Sequence, residues 1–119
     1  ITGVGRYLKE RNPHVRIIAV EPASRHHKLS GLKRVTGLPD EHFPSIVDRE
    51  LIDEYVSVTD EDAFKAGIRV ARTDGVLVGP TTGASLHAAQ EWGKKNPGRA
   101  VVISGDSAAK YVESYAEFL

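Results

Sequence analysis

Four short apolar runs, at residues 15–20, 55–58, 76–78 and 101–103, set the limits on what this chain can fold into. Long segments with helical or loop-like patterns separate them, and connections of this length are crossovers rather than hairpins, so the joined strands run parallel. Nearly unbroken apolar strands are typical of a sheet that helices cover on both faces. The sequence therefore predicts an α/β domain with a parallel sheet of about four strands flanked by helices.

Four segments with helical periodicity alternate with these runs. They lie between Thr2 and Asn12, between Thr59 and Gly75, between Gly83 and Asn96, and from residue 108 to 115. Thr2 is placed to cap the first helix, and residues 59–62 resemble a capping box that begins the second. Residues 23–48 lack such a pattern, with one helical turn predicted near residues 28–34. Loops of this length are usually functional or mobile.

Composition excludes several classes of function. Lys plus Arg and Asp plus Glu number 16 each, so no overall charge attracts nucleic acid or an anionic membrane. The absence of cysteine excludes disulfides, thiolate metal sites and a cysteine nucleophile, and it is compatible with a reducing compartment. No apolar run approaches the roughly 20 residues of a membrane helix. We expect a cytoplasmic protein that binds a small ligand or a protein partner.

The beginning of the sequence suggests that it belongs to something longer. The chain contains no methionine, and a helical pattern is already running at Ile1. We therefore expect its 119 residues to form a single α/β domain cut from a larger enzyme.

Two turns at predicted strand ends are the candidate ligand contacts, because ligands of open parallel sheets gather where strands pass into helices. Gly79 opens the first turn, although Thr81 or Thr82 there could simply cap the following helix. Ser107 lies in the second turn, where it is either a helix N-cap or a ligand contact. Gly3 and Gly5 form only a fragment of a glycine-rich pattern, and we interpret them as helix-packing residues.

The remaining titratable residues do not predict a catalytic or metal site. His26 and His27 are adjacent and lack an acidic partner at the spacing that metal sites favour, so no metal is expected. Residues 60–62 are acidic, as the first turn of a helix favours. Lys28 has no apolar surroundings that would lower its pKa, and we interpret it as a solvated lysine.

A series of motifs follows one enzyme family from end to end. They are Ile1-Thr2-Gly3-Val4-Gly5-Arg6-Tyr7-Leu8-Lys9, Val20-Glu21-Pro22, His27-Lys28 with Gly31, Pro44 with Asp48, Leu51-Ile52-Asp53-Glu54, Val78-Gly79-Pro80-Thr81-Thr82-Gly83-Ala84, and Asp106-Ser107 with Tyr111. In this order the chain resembles the C-terminal part of the cysteine synthase (O-acetylserine sulfhydrylase) and cystathionine β-synthase family, which are fold-type II pyridoxal-phosphate enzymes.

The resemblance implies a pyridoxal 5'-phosphate enzyme of two domains, with this chain in the large domain. The family's phosphate loop, substrate-carboxylate loop and Schiff-base lysine match positions upstream of Ile1, so no catalytic residue is expected here and the chain alone should be inactive. Ser107 matches the partner of the cofactor's ring nitrogen, and Gly79 matches the backbone wall near the cofactor. A homodimer is implied for the complete enzyme.

Two segments depart from the family pattern. The substrate lid, which is usually rich in glycine and alanine, here contains Gly31, Lys33 and Arg34. Lys33 and Arg34 either meet an anionic leaving group such as phosphate or are solvated charges. The family's Pro-Asp-Ser-Gly turn becomes residues 105–108, which keep the serine but change its neighbours.

Two functional hypotheses follow. The first is a fragment of a β-replacement enzyme that makes L-cysteine, or a related thioether amino acid, from an activated serine and a sulfur donor. The second is a small non-catalytic α/β module that holds a nucleotide or a protein at the same strand ends. The serine at the start of the last helix favours the first.

Overall fold

A computed structural model describes residues 1–119. Its two strands are β1 (Ile18–Pro22) and β2 (Glu54–Val58), and its α-helices are α1 (Thr2–Arg11), α2 (Asp60–Asp74), α3 (Pro80–Lys95) and α4 (Val112–Ala116). Short 3-10 helices lie at Asp40–His42, Arg49–Leu51 and Ala108–Lys110.

The two strands pair in parallel, in a register that runs from Ile18 opposite Glu54 to Pro22 opposite Val58. Backbone hydrogen bonds continue this pairing beyond both ends, from Asp53 N–H to the Ile17 carbonyl and from Ala23 N–H to the Val58 carbonyl, at 2.9 and 2.8 Å. The predicted α/β class with a parallel sheet is therefore confirmed. The first strand begins three residues later than its apolar run and continues through Glu21 and Pro22.

The sheet has two strands rather than the four predicted, because the runs at 76–78 and 101–103 form no ladder. Apart from buried Val78, much of their apolar surface is uncovered: Leu77 is 64% exposed and Val101 is 84% exposed. The hydrogen bonds near the first run go to a turn and to a side chain, from Ala108 N–H to the Leu77 carbonyl at 3.4 Å and from the Tyr115 hydroxyl to the Val78 carbonyl at 2.8 Å. An extended segment becomes a strand only where a neighbouring backbone completes its hydrogen bonds.

The predicted cap of α2 is confirmed, whereas the predicted cap of α1 is wrong. The predicted helix start is confirmed, because the Thr59 hydroxyl accepts the Asp62 N–H at 3.1 Å and α2 ends at Gly75 with φ +70°. The Asp62 carboxylate accepts the Thr59 hydroxyl at 2.7 Å rather than the Thr59 N–H, so the second bond of a capping box is absent. The Thr2 cap is wrong: the N-cap is Ile1, and the Thr2 hydroxyl donates to the Ile46 carbonyl at 3.0 Å instead. A long-range partner therefore replaced the local one.

Two further helical predictions were altered by tertiary contacts. Residues 28–34 form turns rather than a helical turn, because buried Leu29 anchors the segment and Gly31 adopts φ +95°. The last helix is divided at Tyr111, whose φ of −128° and ψ of 22° separate a 3-10 turn from α4.

The core lies between the sheet, α2 and α3. Its seven buried residues are Leu29, Val58, Ala63, Phe64, Ala84, Ala88 and Tyr115. Phe64 is fully buried at the centre, edge-on to the Tyr115 ring at 4.9 Å between centroids and stacked on Phe118 at 4.4 Å. Aromatic pairs with this geometry contribute beyond their buried area, so α4 and the C-terminus are held on the core by Phe64.

Glycine allows α2 and α3 to approach closely. A Cβ atom on residue 83 would overlap the Ala63 carbonyl oxygen, and a Cβ on residue 67 would overlap the Tyr115 hydroxyl. Because the first obstacle is backbone, it cannot rotate away. Gly83, near the start of α3, thus sets the spacing of the two helices that carry the core.

Two substitutions in α3 test this contact. Gly83→Ala should destabilise the protein by about 1–3 kcal/mol, because the added methyl group forces the helices apart. Gly93→Ala in the same helix meets no atom within 4 Å and should stabilise it by about 0.5–1 kcal/mol. Urea unfolding measures both, and equal effects of the two substitutions would contradict the packing argument.

Candidate functional site

The structure brings the two predicted ligand turns together. Gly79 N–H donates to the Asp106 carbonyl at 3.1 Å, and Ala108 N–H donates to the Leu77 carbonyl at 3.4 Å. Gly79 is also the N-cap of α3, with Pro80 in the first helical position, where its missing N–H costs nothing. The turn before α3 and the turn at Ser107 therefore form one surface.

Ser107 is the exposed member of this surface. Its hydroxyl oxygen accepts the Ala109 N–H at 3.4 Å, so the capping interpretation describes its contact within the chain. The hydroxyl hydrogen has no acceptor in the structure, which leaves it available to a ligand.

Asp106, which the sequence analysis did not single out by itself, lies behind Ser107. One carboxylate oxygen, Oδ2, accepts the Tyr111 hydroxyl at 2.6 Å. The other, Oδ1, is buried without a donor, in space that a Cβ atom on residue 79 would occupy. Position 79 therefore favours glycine for a steric reason, since its φ of −71° is one that any residue adopts.

Thr81 and Thr82, which the sequence offered as caps of α3, do not cap it. The N-cap of α3 makes no side-chain hydrogen bond, and Thr82 is buried with its hydroxyl donating to Ser104 Oγ at 3.2 Å. Thr82 thus ties the Gly79 turn to the segment that leads into Asp106.

Two tyrosine hydroxyls support the same region. The hydrogen bond to Asp106, together with burial and its negative charge, raises the pKa of Tyr111. Burial, aided by the Asp106 charge, raises the pKa of Tyr115 to about 12, and its hydroxyl donates to the Val78 carbonyl at 2.8 Å. Both phenols are therefore protonated donors near neutral pH.

The predicted lid residues surround a separate cleft. Gly31 would place a Cβ only 3.8 Å from Thr81, next to the Gly79 turn. Lys33 is exposed and has no ion-pair partner, whereas the Arg34 guanidinium donates to the Ala23 carbonyl. The cleft measures about 240 Å³ and has no acidic residue in its lining, which consists of Arg25, His27, Leu32, Lys33, Arg34 and Leu38.

Glu21 anchors the far end of this lid. The carboxylate is 2% exposed and accepts the N–H groups of Val35 and Thr36 at 2.9 and 3.0 Å. It also accepts the hydroxyls of Thr36 and Ser57, the latter at 3.2 Å. One buried side chain thus joins the end of β1, the lid and β2.

The charge of Glu21 is stabilised without a cation. Burial acts to raise the pKa of its carboxyl, but the hydrogen bonds from Thr36, Val35 and Ser57 outweigh burial and hold the pKa below its ordinary value of 4.5. Sequence reasoning missed this residue, although a carboxylate at the end of an apolar run was a visible signal, because its partners lie 14 to 36 positions away.

The other residues weighed in the sequence do not join this region as a site. Lys28 forms an exposed ion pair with Glu117, and its backbone N–H donates to Asp60 at 2.9 Å. No group of three His, Cys, Asp or Glu side chains has the arrangement of a metal site. None of the helices is both long and apolar enough to cross a membrane.

The pattern that defines the family described as "Pyridoxal-phosphate dependent enzyme" matches residues 1–106, nearly the whole chain. The chain belongs to this family. The match confirms the family and the cofactor class that the resemblance implied, and it supports the enzyme interpretation over a small binding module. It covers the Gly79 turn and ends at Asp106, one residue before Ser107.

Two individual relatives match nearly the whole of this chain. A probable cysteine synthase of Bacillus subtilis is 36% identical over 96% of this chain, and a cystathionine beta-synthase of Apis mellifera is 32% identical over 97% of it. The chain spans only 38% and 25% of the lengths of these two relatives.

Solved structures of such enzymes have the same fold. O-acetylserine sulfhydrylase isoform 3 from Entamoeba histolytica superimposes with a TM-score of 0.86 at 27% identity, covering 98% of this chain and 37% of that one. An O-acetylserine dependent cystathionine beta-synthase from Helicobacter pylori gives 0.77 at 31% identity, covering 93% and 38%.

The substitution Glu21→Gln tests the role of this carboxylate. It keeps the shape of the side chain but places amide hydrogens against the N–H and hydroxyl groups that now donate to the carboxylate. We expect a loss of about 2 kcal/mol in unfolding free energy near neutral pH, because hydrogen bonds to a charge are lost. Since the folded-state pKa is depressed, this contribution is present above pH 4.5 and disappears as pH falls through the folded pKa.

Urea unfolding of wild type and Glu21→Gln across roughly pH 3–7, a range that brackets the ordinary carboxyl pKa, measures the difference in unfolding free energy. Glu50→Gln is the matched control, because the Glu50 side chain is exposed and makes no hydrogen bond. A difference between wild type and Glu21→Gln that stays constant with pH would contradict the assigned role of the charge.

Proposed function

We propose that this chain is the C-terminal part of a two-domain, pyridoxal-phosphate-dependent β-replacement enzyme. The product would be L-cysteine or a related thioether amino acid, made from an activated serine and a sulfur nucleophile. The family match and relatives described as cysteine synthases and cystathionine beta-synthases support this assignment. The observation that carries it in the structure is the exposed Ser107 hydroxyl beside the bare Gly79 backbone.

These residues fit the edge of the cofactor ring. Ser107 has a free hydroxyl hydrogen and an accessible oxygen, so it can hydrogen-bond to a ring nitrogen in either role. Gly79 is buried behind this turn, where Asp106 and Tyr111 fill the space that a side chain would take, and its N–H holds the Asp106 carbonyl so that the adjacent Ser107 stays exposed. When bound, the cofactor would supply an electron sink for the negative charge left at the substrate Cα on loss of its proton, and that electron pair would then expel the β leaving group.

A serine at this position suits elimination. Unlike an aspartate, a hydroxyl does not hold the ring nitrogen protonated, so the ring withdraws electrons more mildly. Mild withdrawal favours loss of a β leaving group over transamination. The Schiff-base lysine and the substrate-carboxylate loop are proposed to lie upstream, in a homodimeric cytoplasmic enzyme.

The lid cleft supports an anionic donor substrate, with Lys33 as its principal contact. Arg34 is held by the Ala23 carbonyl, whereas the Lys33 ammonium has no acidic partner in the structure. A phosphate leaving group would complement the three cationic residues of the lining, which are Arg25, Lys33 and Arg34. O-phosphoserine is therefore the favoured activated serine.

The assignment of Ser107 is tested in the complete protein reconstituted with pyridoxal 5'-phosphate. Ser107→Asp should protonate the ring nitrogen, shift the cofactor's visible absorption and slow β-replacement by about 100-fold or more, in the range of a lost catalytic contact. Ser107→Ala keeps the backbone and should weaken cofactor binding with a smaller shift.

Ser114→Ala serves as the control and should behave as wild type, because Ser114 is a half-buried residue of α4 whose hydroxyl makes no hydrogen bond. An unchanged spectrum and rate in Ser107→Asp would show that Ser107 is only a helix cap. Failure of the wild-type protein to bind the cofactor would contradict the proposed function itself.

Lys33→Ala tests the donor substrate. We expect KM for O-phosphoserine to rise about tenfold, the effect of roughly 1.4 kcal/mol, with little change for O-acetylserine. Lys95→Ala removes a lysine charge at the exposed end of α3, far from the lid in sequence, and should change neither KM value. Steady-state kinetics with both donors measures the difference, and equal changes in KM for both would exclude a phosphate contact.

A further inference from the structure

The backbone on either side of Ser107 is tied to the segment that leads into α3. On one side the Asp106 carbonyl accepts the Gly79 N–H at 3.1 Å, and on the other the Ala108 N–H donates to the Leu77 carbonyl at 3.4 Å. Ser107 lies between these two bonds and is exposed. The position of the serine is therefore set by what holds its two neighbours.

The side chains of Asp106 and Tyr111 close the same turn a second time. Asp106 Oδ2 accepts the Tyr111 hydroxyl at 2.6 Å, and this bond spans Ser107 and the 3-10 turn at Ala108–Lys110. Both side chains also pack against Gly79, where a Cβ atom would lie 1.9 Å from Asp106 Oδ1 and 3.3 Å from the Tyr111 ring. One hydrogen bond between side chains thus joins the residue before the serine to the residue that follows the 3-10 turn.

The Asp106 carboxylate has no other partner. Its Oδ1 atom is buried without a donor, so the Tyr111 hydroxyl supplies the only hydrogen bond that this carboxylate accepts. A partly buried carboxylate costs free energy unless it is hydrogen-bonded, and bonds to a charged group are stronger than bonds between neutral groups. Loss of the Tyr111 hydroxyl would therefore favour a turn in which Asp106 reaches water, and Ser107, the next residue, would move with it.

We propose that Asp106 and Tyr111 are positioning residues, whose hydrogen bond fixes the Ser107 hydroxyl for the cofactor ring. Neither side chain touches the ring in this proposal, and both act through the serine. The role toward the cofactor rests on the proposed function, whereas the dependence of the turn on this hydrogen bond is a property of this chain.

The test measures pyridoxal 5'-phosphate affinity and visible absorption in the complete protein, for wild type, Tyr111→Phe, Ser107→Ala and the double variant. Tyr111→Phe should weaken cofactor binding about tenfold, the effect of one lost hydrogen bond to a charged group, and should shift the absorption. In the Ser107→Ala background the same substitution should change neither, because the serine through which Tyr111 acts is absent. A tyrosine that only stabilised the fold would weaken binding equally in both backgrounds.

Tyr55→Phe is the matched control, because Tyr55 is a half-buried residue of β2 whose hydroxyl makes no hydrogen bond. It should leave the affinity and the absorption unchanged. Two substitutions of the carboxylate complete the series. Asp106→Asn keeps an oxygen that can accept the Tyr111 hydroxyl, so it should bind the cofactor more tightly than Asp106→Ala, which removes the acceptor.

Amide hydrogen exchange in the cofactor-free complete protein measures the turn by itself. The Gly79 N–H should exchange about tenfold faster in Tyr111→Phe than in wild type, since its acceptor is the Asp106 carbonyl, while residues 60–74 stay unchanged. Wild-type exchange at Gly79 in a folded Tyr111→Phe protein, or additive effects of Ser107→Ala and Tyr111→Phe on affinity, would overturn the positioning role. Failure of the wild-type protein to bind the cofactor would overturn the proposed function, and the Gly79 exchange rate would still decide whether the hydrogen bond holds the turn.

Discussion

The contact between the Gly79 backbone and Asp106 is the constraint on which the rest of the site depends. No side chain fits at position 79, because Asp106 Oδ1 occupies that space, and the Gly79 N–H is bonded to the Asp106 carbonyl. The bond brings the start of α3 to the turn that carries Ser107. This packing leaves Ser107 as the exposed residue of the turn.

The lid is organised around a second carboxylate. Glu21 replaces water with two N–H groups and two hydroxyls, so its charge is buried without a cation. Fully buried Leu29 fixes the other end of the lid, and between the two ends lie Gly31 and the exposed Lys33. A segment held at both ends and glycine-containing near one end can present a charge to a substrate while its ends stay in place.

Four apolar side chains of the two runs that form no strand are exposed, namely Val76, Leu77, Val101 and Ile103. Neither run has a neighbouring strand that would complete a ladder. Solvent-exposed apolar side chains on extended backbone mark surfaces that pair or pack in larger assemblies. The family assignment rests on the match of the family pattern over residues 1–106.

The sequence by itself determined the elements whose signals are local. Short-range propensity determined both ends of α2, which begins with the Thr59 cap and ends at Gly75. Connection length determined that β1 and β2 run parallel. Its order of motifs also determined the family. Tertiary structure alone decided which extended runs became strands, that the Thr2 hydroxyl binds Ile46 rather than its own helix, and that Glu21 and Asp106 are buried. These outcomes depend on partners distant in sequence, and no periodicity or capping pattern records which distant groups will meet.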